Sequence, residues 1–295
     1  MKKIPTVSVI VPFRNPDRRL LRRLLEALRR QTRSPEEIIM VDDGSRGNPG
    51  NEAQSFGAKL VRLGKGRSAA AARNEGIRYA RGDILVFTDA DCEPAADWVD
   101  TIASALADER AEVAAGGVLI ETNTRFSVWA ARLGFPAGGN LGFEKVWPVD
   151  SRGYTTTFAF CNCAIRRRVF ERHGPLDEDI PGAGGEDTVF AARLVAGGVR
   201  IRYTRAALVV HAPCKGMGAF TRKHLDRGRG NYWIKRKVQR VAPFLGLRLW
   251  STSNLLRTYW REPDLAVTLL LLFWAAFCQT VGFLAETIRM QRASR

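Results

Sequence analysis

Acidic residues and cysteines are both in short supply. The chain sets 30 Asp and Glu against 46 Lys and Arg, leaving a formal net charge of +16 and a pI near 10.3. Such a surface attracts polyanions: nucleic acid, an anionic membrane or phosphorylated substrates. The five cysteines, at positions 92, 161, 163, 214 and 278, are odd in number and match neither a zinc-ligand pair nor a disulfide framework. Reduced thiols in a cytosol-facing protein are expected. No signal peptide is expected either. Met1-Lys2-Lys3 is basic, but Ile4 to Val11 is too short for an h-region and leads into a strand pattern. There is no internal repeat and no low-complexity tract. With 45% hydrophobic residues, the 295-residue chain can build one large α/β domain plus an accessory region.

What is present is an alternation of strands and helices. Val7–Val11 is a short apolar, β-branched run closed by Pro12 and reads as a buried strand. Asn15-Pro16-Asp17 then predicts a helix start with proline at the first helical position. Leu20, Leu21, Leu24, Leu25 and Leu28 recur at helical spacing with arginines between them, the pattern of an amphipathic helix covering a sheet. Strands are expected at 37–41, 58–63, 84–88, 113–120, 158–165 and 199–210. Helices are expected at 68–80, 166–173 and 187–196. This spacing predicts a parallel sheet with helices on both faces, and ligands beyond the carboxyl ends of its strands. Residues 122–152, with Gly134, Gly138, Gly139 and Gly142, read as a mobile loop.

The character changes after His211. Residues 219–240 read as a basic helix, and 241–260 as a helix in the bilayer interface with aromatic anchors. Residues 222–261 hold eleven Lys and Arg against the single acid Asp226. A basic collar beside an apolar run points to a membrane rather than to DNA. Leu265–Ala285 carries no charge. At about 1.5 Å per residue it is long enough for a hydrocarbon core of about 30 Å, so one transmembrane helix is expected. Only Arg289, Arg292 and Arg295 follow it, and the positive-inside rule then puts the large domain in the cytoplasm. Three regions are expected: 1–212, a catalytic α/β domain; 213–262, basic membrane-proximal helices; and 263–295, the span with a short tail.

Three carboxylate-bearing turns suggest a site. Asp89-Ala90-Asp91 follows the apolar strand at 84–88, where two carboxylates at i and i+2 can share one hard cation. A cation there can neutralise a diphosphate leaving group. Asp42-Asp43-Gly44-Ser45 follows another strand, although these residues also form ordinary turns. Glu186-Asp187 begins a helix, where the dipole alone would favour acids. In Gly64-Lys65-Gly66-Arg67, Lys65 and Arg67 could approach phosphates or form a solvated basic loop. Cys161 and Cys163 are expected on one face of a strand as small core residues.

Taken in order, several motifs resemble glycosyltransferase family 2, whose fold is GT-A. They are Val9-Ile10-Val11-Pro12-Phe13-Arg14-Asn15, Val41-Asp42-Asp43-Gly44-Ser45, Ala72-Arg73-Asn74 with Gly76, Gly82-Asp83 before Thr88-Asp89-Ala90-Asp91, and Glu186-Asp187. The resemblance covers about residues 6–212. It implies that Pro12 and Arg14 meet the nucleoside and that Asp43 hydrogen-bonds the base. It places Arg73 on the nucleotide side, or in a helix-face salt bridge. Asp89 becomes the ribose- or metal-side acid and Asp91 the direct metal ligand. Asp187 becomes the general base, with Glu186 the alternative. His211 is implied as a metal ligand or diphosphate contact, against a structural role. His173 and His224 have no such context. Arg227-Gly228-Arg229-Gly230-Asn231-Tyr232-Trp233 matches the Q-x-x-R-W motif of many relatives only loosely, and together with a single span this argues against processive polymerisation.

The resemblance therefore implies an inverting enzyme that uses Mg²⁺ or Mn²⁺ and a nucleotide-diphosphate sugar to glycosylate an acceptor hydroxyl. The basic and aromatic C-terminal region suggests a lipid-linked or glycan acceptor, an inner or plasma membrane location, and a role in cell-envelope polysaccharide or glycolipid assembly. No nucleic-acid partner is expected. Two rivals are a metal-dependent nucleotidyltransferase and a non-catalytic basic module binding membrane or nucleic acid. The first would carry a glycine-rich phosphate loop after the first strand, which Pro12-Phe13-Arg14-Asn15 is not.

Overall fold

The computed structural model describes residues 4–64, 66–180, 184–238 and 242–293. Lys65, Arg240 and the side chains of Phe244 and Leu245 lie outside the described residues. The chain opens with β1 (Val7–Phe13), α1 (Arg18–Arg29), β2 (Glu37–Asp42), a short α2 (Gly50–Ser55), β3 (Lys59–Arg62), α3 (Ala69–Tyr79) and β4 (Ile84–Thr88). β1 pairs in parallel with β2 and β4, and β2 pairs in parallel with β3. β1 does not close at Pro12. It runs on to Phe13 beside β2, while its pairing with β4 stops at Ile10–Phe87. A proline without an N–H is tolerated where one neighbour has already parted from the strand.

The α1 leucines 21, 24, 25 and 28 are buried against Val7, Val9 and Val11 on one face of the sheet. Ala70 and Ala72 of α3 pack on Ile10, Ile39 and Val41 on the other. Asp17, not Asn15, caps α1 by accepting from the Arg19 N–H, so Pro16 precedes the helix.

Next come β5 (Cys92–Pro94), α4 (Trp98–Ser104), β6 (Val113–Ile120), α5 (Arg125–Arg132), β7 (Tyr154–Thr155), β8 (Asn162–Arg166), α6 (Arg167–His173), α7 (Glu186–Ala196) and β9 (Ile201–His211). The sheet order is β3-β2-β1-β4-β8-β6-β9-β5, with β7 pairing to β9. The sheet is mixed rather than wholly parallel, because β8 is antiparallel to both β4 and β6. The reason lies in the connection. The chain leaves β6 at the carboxyl edge and enters β8 from that same edge, with Asn162 opposite Thr88, so no crossover returns it to the amino end. β8 starts only at Asn162, and Cys161 and Cys163 consequently fall into cores on opposite faces.

Residues 122–152 are built, not an open loop. Thr124 and Ser127 form a capping box on α5. Gly134, Gly138, Gly139 and Gly142 all take positive φ and wrap two short 3₁₀ turns. Leu133, Leu141 and Val146 pack there against Phe220, Leu255 and Leu271. That cluster seats three C-terminal helices: α8 (Met217–Lys237), α9 (Ala242–Tyr259) and α10 (Leu265–Ala293). Arg132 clamps the start of α10 through Asp264 at 2.5 Å and Glu262 at 2.9 Å. By length and apolarity α10, with 29 residues and an 18-residue window of mean hydropathy 2.0, could cross a membrane.

Candidate functional site

The carboxyl ends of the parallel strands carry the acidic turns, as the motif order predicts. One corner gathers the residues expected at the nucleoside. Phe13 and Asp42 sit side by side, and the Asp43 N–H donates to the Phe13 carbonyl at 2.8 Å. Asp42 is consumed structurally, accepting from the Ser45 N–H at 2.8 Å and from Arg62 at 3.0 Å. Asp43 accepts from the Arg67 N–H at 2.7 Å. Burial pushes its carboxyl above the usual range, against the pull of that N–H and of Arg14. A Cβ on Gly66 would meet the Arg14 guanidinium carbon at 2.6 Å and the Asp43 carbonyl at 2.9 Å, so this turn closes only over glycine. Pro12, Arg14, Asp43 and Arg67 thus share one corner, and Arg67 reaches on to Glu178.

Arg73 joins distant parts of the chain. Its Nη1 donates to Glu186 Oε1 at 2.7 Å and its Nη2 to Asp89 Oδ1 at 3.0 Å. The guanidinium lies 4.5 Å from the Phe160 ring centroid and the side chain is 4% exposed. Burial would lower its pKa, but Asp89 and Glu186 outweigh burial and keep it charged. Arg73 is therefore a buried fork between two acidic motifs, not a surface helix pair. Its neighbour Asn74 bonds the Leu176 backbone at both ends and Glu178 at 2.9 Å, fastening the approach to α7.

Asp91 and His211 come together through sheet pairing. Cys92 lies opposite His211 across β5 and β9, and the Ala212 N–H donates to the Asp91 carbonyl at 2.8 Å. The His211 Nδ1 is 2.8 Å from the Ala212 carbonyl, which can only accept, so Nδ1 carries the proton and Nε2 presents its lone pair. That Nε2 is 3.6 Å from Asp91 Oδ1. Cys92 completes a trio whose donor atoms lie within 4.8 Å of one another. Burial pushes the Cys92 thiol well up, so it stays protonated and offers no thiolate. A carboxylate oxygen and a fixed imidazole nitrogen can hold one divalent cation with room for substrate oxygens. Asp89 is not one of this trio and has one oxygen committed to Arg73, but it interacts electrostatically with both Asp91 and His211.

The two late acids differ sharply. Glu186 is buried and both its oxygens are engaged, one by Arg73 and one by the Gly184 N–H at 2.8 Å. Asp187 accepts on Oδ1 from the Thr188 N–H at 2.7 Å. Burial, followed by the like charge of Glu186, pushes its carboxyl up to about 6. A residue the motifs matched only loosely also belongs here. Arg227 of α8 stacks on Phe135 at 3.9 Å, and the charges of Asp187 and Glu186 partly offset the burial that lowers its pKa to about 10. It stays cationic at neutral pH. Its signal in the sequence was the Arg-Gly-Arg-Gly run, indistinguishable there from membrane-directed charge. Burial lowers the neighbouring His224 to about 3, so that ring is neutral. Arg227, His224 and Lys223 edge a groove whose apolar lining includes Ile120, Leu133, Phe135, Cys214 and Phe220.

Comparison with known proteins bears on the family and the fold. The family model described as "Glycosyl transferase family 2" matches residues 8–174. "Glycosyltransferase AglE" of Haloferax volcanii is 25% identical over 84% of this chain and 80% of its own length. "Polypeptide N-acetylgalactosaminyltransferase 3" of Drosophila melanogaster is 27% identical over 70% of this chain, which spans 35% of that longer protein. Among solved structures, "Mannosyltransferase PcManGT from Pyrobaculum calidifontis in complex with GDP-Man and Mn2+" superposes over 98% of this chain and 87% of its own, with TM-score 0.61 at 21% identity. That likeness shows the GT-A fold. With more than half of its residues matched by the family model, the chain belongs to glycosyl transferase family 2 and is a sugar-transferring enzyme.

Proposed function

We propose that the enzyme transfers a sugar, with inversion, from a nucleotide-diphosphate donor to a hydroxyl of a lipid-linked or glycan acceptor in cell-envelope polysaccharide or glycolipid assembly. The observation that carries this reading is the Arg73 fork, which ties Asp89 of the early acidic motif to Glu186 of the late one. Donor and acceptor acids are thereby held across one cleft. The nucleoside takes the corner of Pro12, Arg14 and Asp43, where the free oxygen of Asp43 faces a base N–H. Asp89 and Arg73 border the ribose and diphosphate. Asp91 and His211 would hold Mg²⁺ or Mn²⁺, with the nitrogen donor favouring Mn²⁺. When bound, the cation neutralises charge on the departing diphosphate.

Asp187 takes the acceptor proton, because Glu186 has no oxygen to spare. A carboxyl near 6 is mostly ionised at neutral pH yet more basic than an exposed one. The acceptor then enters over the apolar groove, with Lys223 and Arg227 meeting an anionic head group. Five free cysteines, four of them buried, suit a catalytic domain on the cytoplasmic face of an inner or plasma membrane.

The test is a donor screen. Purified protein is offered UDP-, GDP- and dTDP-sugars with Mn²⁺, and released nucleotide is identified. Nucleoside diphosphate from at least one donor is expected; release of sugar 1-phosphate instead, with the nucleoside monophosphate transferred, would place the chemistry with nucleotidyl transfer. EDTA should abolish release and Mn²⁺ should restore it. Asp91→Ala should lower turnover roughly 10²–10³-fold, on the scale of removing one electrostatic stabiliser of the leaving group. It should also raise the Mn²⁺ concentration needed for half-activity. An Asp91→Ala enzyme with unchanged metal dependence would rule out this metal site.

A further inference from the structure

α10 does not stand alone. Gly228 of α8 and Gly282 of α10 bring the two backbones together: a Cβ on Gly228 would lie 2.1 Å from the Gln279 carbonyl, and one on Gly282 would lie 2.1 Å from that of Leu225. Trp274 donates to Thr221 at 2.9 Å, and Trp233 donates to Glu286 at 2.9 Å. These contacts climb both helices together, so α8 runs beside α10 in the same direction from Trp274 to Glu286. The buried stripe of α10 mixes the polar Thr268, Gln279 and Glu286 with Leu271, Ala275, Cys278 and Gly282. Its partner α8 carries Arg222, Lys223, Asp226, Arg227 and Arg229 along the shared length. A helix crossing the bilayer in this pairing would draw those charges into hydrocarbon, the costliest place for them.

The opposite stripe of α10 is apolar and bare. Leu270, Phe273, Phe277, Val281, Leu284 and Ile288 follow helical spacing, and Phe273 is 73% exposed. Arg222, Lys223, Arg229, Lys235 and Arg236 of α8 are exposed, and Lys235 stands 5.5 Å from the Phe283 ring of α10. Trp250 of α9 and Trp260 just beyond it are also exposed. An apolar stripe flanked by cations and indoles is the make-up of a helix lying in a membrane interface.

We propose that α10 does not span the bilayer but lies in its plane, its bare stripe in the acyl boundary and the α8 cations on anionic lipid head groups. The enzyme is then held on one leaflet, with the groove beside Arg227 at the membrane surface. This rests on the membrane association proposed above, but it is tested by topology and partitioning, not by turnover.

Full-length protein is mixed with phosphatidylcholine vesicles, with and without phosphatidylglycerol. Binding at least about tenfold stronger to the anionic vesicles is expected, weakening with salt. Phe273→Asp with Phe277→Asp should lower binding at least about tenfold while circular dichroism stays unchanged. For topology, Arg261→Cys and Ala293→Cys are made separately in a Cys214→Ser background. Each is labelled with an impermeant maleimide in sealed inverted membrane vesicles. Both positions should react from the cytoplasmic side. Reaction of one and protection of the other would establish a span and overturn the in-plane placement, leaving membrane association intact. Failure to bind any vesicle, with a dimer in solution, would give the stripe to a second copy and overturn both.

Discussion

Asp187→Asn is expected to lower the transfer rate by about 10²–10⁴-fold, the usual weight of a positioned general base. Donor affinity should change little, because the side chain that reaches the donor acids is Arg73, which pairs with Glu186 rather than Asp187. The wild-type rate should rise with pH through about 6, as Asp187 loses its proton, and Asn should remove that limb. Stability should move the other way. The folded state holds this proton up to about pH 6, whereas the unfolded chain releases it near the ordinary 3.8. Between those values the folded state binds more protons, so stability falls as pH rises through that window, and the full cost is present at neutral pH. Asparagine carries no such cost. The melting temperature of Asp187→Asn at pH 7.5 without added metal should therefore equal or exceed that of wild type. A variant that keeps its rate, or loses it only by unfolding, would remove Asp187 from the chemistry.

Arg73→Met should be the most destabilising change in the cleft, by about 3–5 kcal/mol in urea unfolding. Methionine matches much of the length and can still pack on Phe160, but it leaves Asp89 and the buried Glu186 facing each other without a cation. Arg73→Lys should recover part of the stability and little of the activity, because one ammonium cannot serve two acids as a planar fork does. The informative variant is the triple Arg73→Met, Glu186→Gln, Asp89→Asn. Removing all three charges together should restore much of the unfolding midpoint while turnover stays low. Recovery of both would mean that the fork has no role in donor binding. Recovery of neither would mean that packing on Phe160, not charge pairing, is what Arg73 supplies.

Much of the fold was legible in order. β1, β2 and β4 were visible as apolar runs because each is buried on both faces, and α1 because its leucines recur every three or four residues while arginines fill the rest. β5 and α4 went unread. Cys92-Glu93-Pro94 is too short to show a period, and it becomes a strand only because β9 lies beside it. The glycines at 134–142 suggested a loop, since positive φ looks alike in sequence whether the turn is packed or open. The direction of β8 was likewise invisible, because it depends on which edge of the sheet a forty-residue excursion returns to.

The acids were legible as motifs but not as roles. Asp42 and Asp43 are adjacent in sequence, yet one is spent on Arg62 and Ser45 while the other accepts on one oxygen from the Arg67 N–H. Glu186 and Asp187 divide in the same way.

By itself the sequence determined the long apolar strands and amphipathic helices, and which acidic turns follow them, because apolar period and turn chemistry act over a few residues. Only the tertiary structure decided which carboxylates have both oxygens bonded, which arginine stands between them, and which face of the last helix is left bare. Each of those depends on a partner tens to hundreds of residues away, and no local pattern encodes the meeting.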